Sequence, residues 1–314
     1  MFPWGNERRF YAYSHYCKTH YGGRIQKLPV DAGFSCPNRV SRFNGGCTYC
    51  ANNAFTPSYL AENDDVAVQL EKGKAFFQKR YPSNHGYFAY FQAYSNTFAS
   101  IEILRQKYEK ALCVCDIKGL VISTRPDCLS DEVLDYLSEL NTRTQLTIEL
   151  GVESFHNETL AHIHRGHTVE CTFEAFEKLH SRNITIGAHL IFGLPGEKPE
   201  QWLSDVQMLN KLRPQFVKFH QLQIFKNTAM ETEYHNHPDR FHPLSADDYV
   251  LFLCNYVERM SPDIVIERFS AEVPPRYLAV SPWKLLRHDA LVRKVEEELT
   301  RRDTWQGIHH FKSE

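Results

Sequence analysis

CPNRVSRFNGGCTYC (36–50) places Cys36, Cys47 and Cys50 in one short loop rich in Gly, Asn and Arg. The spacing is Cys36-x10-Cys47-x2-Cys50. A structural zinc site takes four ligands, and disulfides consume cysteines in pairs. Three thiolates can instead hold three irons of a [4Fe–4S] cluster and leave the fourth iron open to an exogenous ligand. The spacing alone leaves a second possibility, zinc with His20 or another residue as fourth ligand. Gly45 and Gly46 give the loop backbone room to fold tightly.

The rest of the chain alternates. Moving outward from the loop, IQKLPVDAG (25–33) reads as a strand feeding it, and YFAYFQAY (87–94), GLVIST (119–124), TQLTIELGVES (144–154), ITIGAHLIFGLPGE (184–197) and FVKFHQLQIF (216–225) as five more. Between them VAVQLEKGKAFFQKRY (66–81), IEILRQKYEKAL (101–112), LSDEVLDYLSEL (129–140, with Ser130 as N-cap), VECTFEAFEKLHSR (169–182) and EQWLSDVQMLNKL (200–212) have helical spacing. About six strand–helix units in a row predict an α/β fold with a parallel sheet, here a partial (β/α)6 TIM-like barrel. In such folds the chemistry sits at the C-terminal ends of the strands. After residue 226 the rhythm changes to a helix (245–260), a short strand IVIERF (264–269) and a charged helix (284–302). The expected organisation is an N-terminal basic and aromatic segment (1–24), a core (25–226) and a small C-terminal α+β extension (227–314).

Composition narrows the class. The 314 residues are 42% hydrophobic and 24% charged with a net charge of −2, so the whole surface is not a nucleic-acid glove, although a local basic patch is compatible with that balance. MFPWGNERRF has no apolar signal region, and no run approaches the length of a membrane span. Nine scattered cysteines then read as reduced cytoplasmic thiols. Cys113, Cys115 and Cys128 lack a fourth partner at sensible spacing for a second cluster.

If the loop holds a [4Fe–4S] cluster, S-adenosylmethionine (SAM) is a ligand its open iron can take, through its amino and carboxylate groups. An aromatic residue before the last cysteine, here Tyr49, commonly lies near the adenine. DAGFSCPNR (31–39), GGCTYC (45–50), AYFQAYSNTFA (89–99), STRPDCL (123–129), IELGVES (148–154), RGHTV (165–169), GAHLIFGLPGE (187–197) and VKFHQLQIFKNTAM (217–230) occur in one order. Together they resemble a radical SAM core, and in particular the YhcC/YtqA family, related to the catalytic subunit of Elongator. Each motif alone is weak; eight in order, spanning about residues 20 to 310, are specific.

The resemblance implies roles residue by residue. Cys36, Cys47 and Cys50 match the cluster ligands. Gln92 stands where many relatives have Gly-Gly-Glu, which holds the methionine amino group; an amide oxygen can accept from an ammonium. Thr124 closes the third strand. Glu149 and Glu153 end the fourth strand, positioned for the ribose or the amino group. Arg165 belongs to RGHTV. His189 stands at the first glycine of the strand-five motif, matching the Elongator-type histidine, and Gly193 lies in the part beside the adenine. Several have a plainer alternative: Glu149 as a buried carboxylate paired with Arg125 or Arg165, His189 as a satisfied core histidine, Arg165 and His167 as caps of the following helix, and Ser123, Thr124 and Arg125 as a strand end tied to local backbone.

The implied chemistry is one-electron cleavage of SAM to a 5′-deoxyadenosyl radical that abstracts hydrogen from the substrate. An electron donor such as flavodoxin or ferredoxin is expected. The implied substrate is tRNA, at the C5 side chain of wobble uridine, with remodelling of carboxymethylaminomethyluridine to aminomethyluridine as the specific expectation. With no acetyltransferase segment after the core, the acetyl-transfer half of the Elongator reaction is not expected. The segment 6–27 interleaves Arg8, Arg9, Lys18, Arg24 and Lys27 with Tyr11, Tyr13, Tyr16 and Tyr21, a pattern suited to phosphates and unpaired bases or to an aromatic helix covering the barrel. Arg276, Lys284, Arg287 and Arg293 can extend it. The competing functions are a radical enzyme on a small metabolite or peptide, and a non-enzymatic iron–sulfur or zinc protein.

Overall fold

A computed structural model describes residues 1–41, 44–60, 64–280, 283 and 286–310. Seven parallel strands follow one another across a single sheet in chain order: β1 (Ile25–Val30), β2 (Gly86–Phe91), β3 (Ile117–Thr124), β4 (Gln145–Glu153), β5 (Thr185–Phe192), β6 (Phe216–Gln221) and β7 (Val265–Arg268). The helices Val66–Arg80, Ile101–Leu112, Asp131–Asn141, Val169–His180, Val206–Leu212 and Ala246–Arg259 fill the crossovers, and His288–Arg301 follows the last strand. The chain is a curled, open half-barrel.

The expected six strands become seven. IVIERF was assigned to the C-terminal extension, yet Val265 pairs with Phe216 of β6 and continues the sheet in parallel. The strand is only four residues long and two helices separate it from β6, which hides the alternation. The predicted helix 284–302 begins at His288; Lys284 lies outside the described residues.

Burial explains the strand sequences. On β2, Ala89 and Phe91 pack outward under the helices, while Phe88 and Tyr90 belong to a separate interior cluster with Ile25 and Val121. A strand covered on both faces reads as a continuous apolar run, as GYFAYF does. Ser130 caps its helix as expected, accepting from the Val133 amide.

The two ends of the sheet do not pair with each other. Residues 11 and 12 run along β7, where the Ile266 amide donates to the Tyr11 carbonyl at 2.8 Å. The helix Tyr13–Tyr21 then crosses beneath the barrel. Tyr13 and Tyr16 meet Phe216 of β6 edge-on, and Tyr21 meets Phe88 of β2. It plugs the interior at the N-terminal ends of the strands.

Within the chain, most basic groups of the N-terminal segment have partners. Arg8 pairs with Glu296, Arg9 with Asp303, and Arg24 lies 3.6 Å over the ring of Tyr81. Lys27 points into the barrel. Lys18 and Arg24 are exposed on this segment, and Arg276, Arg287 and Arg293 on the C-terminal one. The aromatic rings are spent on packing. No helix among the described residues is long and apolar enough to cross a membrane.

Candidate active site

The cysteine loop leaves the C-terminal end of β1. Within its ten-residue spacer Arg39–Ser41 pairs antiparallel with Asn44–Gly45. Gly46 has φ +104, donates its amide to the Asn38 carbonyl at 2.9 Å, and a Cβ there would meet the Arg39 guanidinium at 3.0 Å. This pairing returns Cys47 and Cys50 to the side of Cys36, and all three line one large cleft at the C-terminal ends of the strands. The cleft encloses about 1170 Å³ including its open mouth, room for a nucleoside cofactor and a substrate group together.

Each sulfur has donors aimed at it. Cys36 receives Ser95 Oγ at 3.4 Å and Arg125 Nη1 at 3.6 Å. Cys47 receives Asn38 Nδ2 and Arg165 Nη1, both at 3.7 Å, and Cys50 receives Arg39 Nη2 at 3.2 Å. Three sulfurs thus face three guanidiniums. Burial and the neighbouring Cys47 push the Cys50 thiol up, against the pull of Arg39. Three thiolates gathered in this space call for added positive charge, which an iron–sulfur core provides, so the donor set fits a cluster. His20 does not join them: it stacks on Tyr16 on the plug helix, at the other end of the barrel. Cys113 and Cys115 precede β3 while Cys128 follows it. Eight strand residues, roughly 26 Å, keep those thiols from sharing a second cluster.

Below the cleft lies a buried polar layer. Glu149, 1% exposed, accepts from Lys27 at 2.7 Å, from Lys218 at 2.6 Å and from Ser123 at 3.1 Å, and takes the Nε2 hydrogen of His189 at 3.0 Å. Glu267 shares both lysines, at 2.5 and 3.2 Å. Two carboxylates against two ammoniums leave the layer neutral. Burial raises the Glu149 carboxyl, but Lys218 and Lys27 outweigh it and hold it well below the usual range. Burial lowers Lys218 to about 8 despite Glu149 and Glu267. Burial, then Lys218, keeps His189 neutral. The anticipated partners of Glu149, Arg125 and Arg165, lie elsewhere: Arg125 forks onto Asp127, and Arg165 pairs with Glu153 at 3.2 Å.

The other candidates sort as follows. Tyr49, Gln92, Thr124, Glu149, Glu153, Arg165 and His189 all line the cleft with the cysteines. Glu153 ends β4 with φ +67, a left-handed conformation unusual for a non-glycine residue and a mark of local strain. Arg165 is buried and also donates to the Gly151 carbonyl at 2.8 Å and to His167 at 3.1 Å. Thr124 Oγ1 bonds Thr97 Oγ1 at 2.6 Å. Gly193 is the exception. It lines a smaller aromatic cavity with Phe192 and Trp202, on the far side of Leu222.

Several groups in or around the cleft carried no role in the sequence reading: Asn38, Arg39, Lys218, Glu267, Gln223 and Arg268; Lys27 stood there only among the basic residues of the N-terminal segment. For Lys218 and Glu267 a signal was present, a charge at an interior position of an otherwise apolar strand (FVKFHQ, VIER).

A three-cysteine loop over the open end of a parallel half-barrel defines an iron–sulfur enzyme class, and comparison with known proteins agrees. Residues 40–209 match the Radical SAM superfamily and residues 214–301 the Radical_SAM C-terminal domain. The chain belongs to the radical SAM superfamily and, within it, to the YhcC/YtqA family. YtqA of Bacillus subtilis (strain 168) is 34% identical over 308 residues, 98% of this chain and 94% of YtqA. The tRNA uridine(34) acetyltransferase of Methanocaldococcus jannaschii is 30% identical over 118 residues, 36% of this chain and 21% of that protein. The structure of archaeal Methanocaldococcus infernus Elp3 lacking its N-terminus superposes with a TM-score of 0.70 at 17% identity, covering 90% of this chain and 64% of that one. The protein is a radical SAM enzyme whose cofactors are a [4Fe–4S] cluster and SAM.

Proposed function

We propose that this enzyme remodels the C5 side chain of wobble uridine in tRNA, converting carboxymethylaminomethyluridine to aminomethyluridine. Hydrogen abstraction at the N-carboxymethyl CH2, loss of one further electron to a one-electron acceptor and hydrolysis of the resulting imine would release that group as glyoxylate. The observation that carries the proposal is the shared stretch with a relative named for tRNA uridine(34), in a chain whose eight ordered motifs resemble the Elongator branch. The cluster and SAM together supply a 5′-deoxyadenosyl radical able to abstract hydrogen from an unactivated carbon.

The chain's own residues do the positioning. Cys36, Cys47 and Cys50 hold three irons. Arg165, locked by Glu153 and the Gly151 carbonyl, and Thr124 offer polar contacts to the SAM carboxylate and amino group, with Gln92 as acceptor for the ammonium. Tyr49 flanks the adenine, and Gly193 supports that wall from behind. Glu149 fixes His189 from below, so the imidazole presents one defined tautomer to the cleft. The buried floor keeps water from entering along the barrel axis. A flavodoxin- or ferredoxin-like donor supplies the electron.

Nucleoside mass spectrometry of bulk tRNA from a strain lacking the protein, set against its parent, tests this. Carboxymethylaminomethyluridine accumulates and aminomethyluridine with its downstream products disappears. Unchanged nucleosides across growth conditions would overturn the tRNA substrate and leave a metabolite or peptide as the target of the same radical chemistry.

A further inference from the structure

The arginines of the cleft are not balanced alike. Arg125 has Asp127 and Arg165 has Glu153. Arg268, the last residue of β7, pairs with no carboxylate among the described residues. Its Nη2 meets Nε2 of His220 at 2.7 Å, and burial together with Arg268 keeps that imidazole neutral. The neighbouring polar layer offers no compensation, because Lys27 and Lys218 already cancel Glu149 and Glu267. Arg268 is therefore a surplus positive charge on the cleft wall.

Its Nε is buried and has no hydrogen-bond partner among the described residues. Gln223 lines the same cleft; its Nε2 donates to the carbonyl of Ala271, three residues after Arg268, at 3.1 Å, and its buried Oε1 is likewise unpartnered among the described residues. A buried donor and a buried acceptor left unmade are each costly. A ligand with an anionic acceptor next to an N–H donor satisfies both at once, and a guanidinium edge matches a carboxylate in shape and charge.

We infer that Arg268 and Gln223 form a subsite for an aminocarboxylate group of the substrate, the carboxylate on Arg268 and the adjacent amine N–H on the Gln223 oxygen. The methionyl end of SAM carries the same chemistry, but it belongs at the open iron. The donors that meet the three sulfurs are Asn38, Arg39, Ser95, Arg125 and Arg165, and neither Arg268 nor Gln223 is among them. The subsite stands on geometry; that its occupant is the side chain of a modified uridine rests on the function proposed above.

The test is anaerobic calorimetry on reconstituted holoenzyme without reductant. The probes are the nucleosides 5-carboxymethylaminomethyluridine and 5-aminomethyluridine, N-methylglycine, and SAM. Wild type binds the carboxylated nucleoside at least tenfold tighter than the aminomethyl one. Arg268→Gln erases that difference, Arg268→Lys restores part of it, and SAM affinity stays constant in both. Gln223→Leu weakens both amine-bearing nucleosides. Loss of SAM binding in Arg268→Gln, with cluster absorbance intact, would reassign Arg268 to the cofactor and overturn the proposal. So would equal affinity of wild type for the two nucleosides, or no binding of any carboxylate probe. Arg268-dependent binding of N-methylglycine with neither nucleoside bound would keep the subsite and remove the uridine as its occupant.

Discussion

Arg39 Nη2 lies 3.2 Å from the sulfur of Cys50, and the residue supplying that charge sits in the spacer between the first two cysteines. The loop that carries the thiols thus also carries part of their compensation. Positive charge and hydrogen bonds at the sulfurs favour the more negative, reduced cluster. Arg39→Gln is expected to shift the cluster potential negative, lowering the reduced-to-oxidised ratio at fixed potential about tenfold, or about 59 mV for one electron. A potentiometric titration followed by electron paramagnetic resonance measures it, and an unchanged midpoint would count against the role.

Cys47→Ala should lose the iron–sulfur absorbance and all 5′-deoxyadenosine formation. Cys128→Ala should keep both, since Cys128 lies buried beside Asp127 with its thiol pushed up to about 12, chiefly by burial. Iron and sulfide content of the two purified variants separates the cases.

Removing the charge of Glu149 leaves Lys27 and Lys218 with Glu267 alone in a buried layer. Breaking a buried ion pair from one side costs about 3–5 kcal/mol. Glu149→Gln should therefore unfold at markedly lower urea concentration. The double change Glu149→Leu with Lys218→Met removes one charge of each sign and should recover part of the loss, as urea midpoints of the three proteins will show.

His167 provides a pH dependence. Burial, then the Arg165 guanidinium, lowers its pKa to about 4 from an ordinary 6.5. The unfolded chain binds the proton more readily, so the contribution is fully present above 6.5 and is lost as pH falls from 6.5 towards 4. The full loss is about 3 kcal/mol at 1.36 kcal/mol per unit. Urea titrations of His167→Gln against wild type should show the variant with a flatter profile in that window.

Much of the architecture was legible because parallel strands covered on both faces are apolar runs that stand out between amphipathic helices. β7 was misplaced because its partner in the sheet is close in space and far in sequence. The cysteine loop stood out by its spacing, but only the other ordered motifs turned it from a possible zinc site into cluster ligands. Glu149 was visible as a charge in an apolar strand, but its partners were not, since Lys27, Lys218 and Glu267 come from three other strands and only the barrel's curl brings them together. The N-terminal arginines were ambiguous for a related reason: interleaved basic and aromatic residues look the same whether they face phosphates or pair with their own Glu296, Asp303 and Tyr81.

The first and last strands share no backbone ladder; the Lys27–Glu267 pair crosses between them inside the barrel, and the helix Tyr13–Tyr21 packs beneath. A closed ring of strands admits what fits down its axis. A wall with an unpaired seam is a slot, plugged below and open towards the cysteine end. Cargo can enter a slot edgewise while still attached to a larger body outside, and Arg268 stands on the strand that borders the opening.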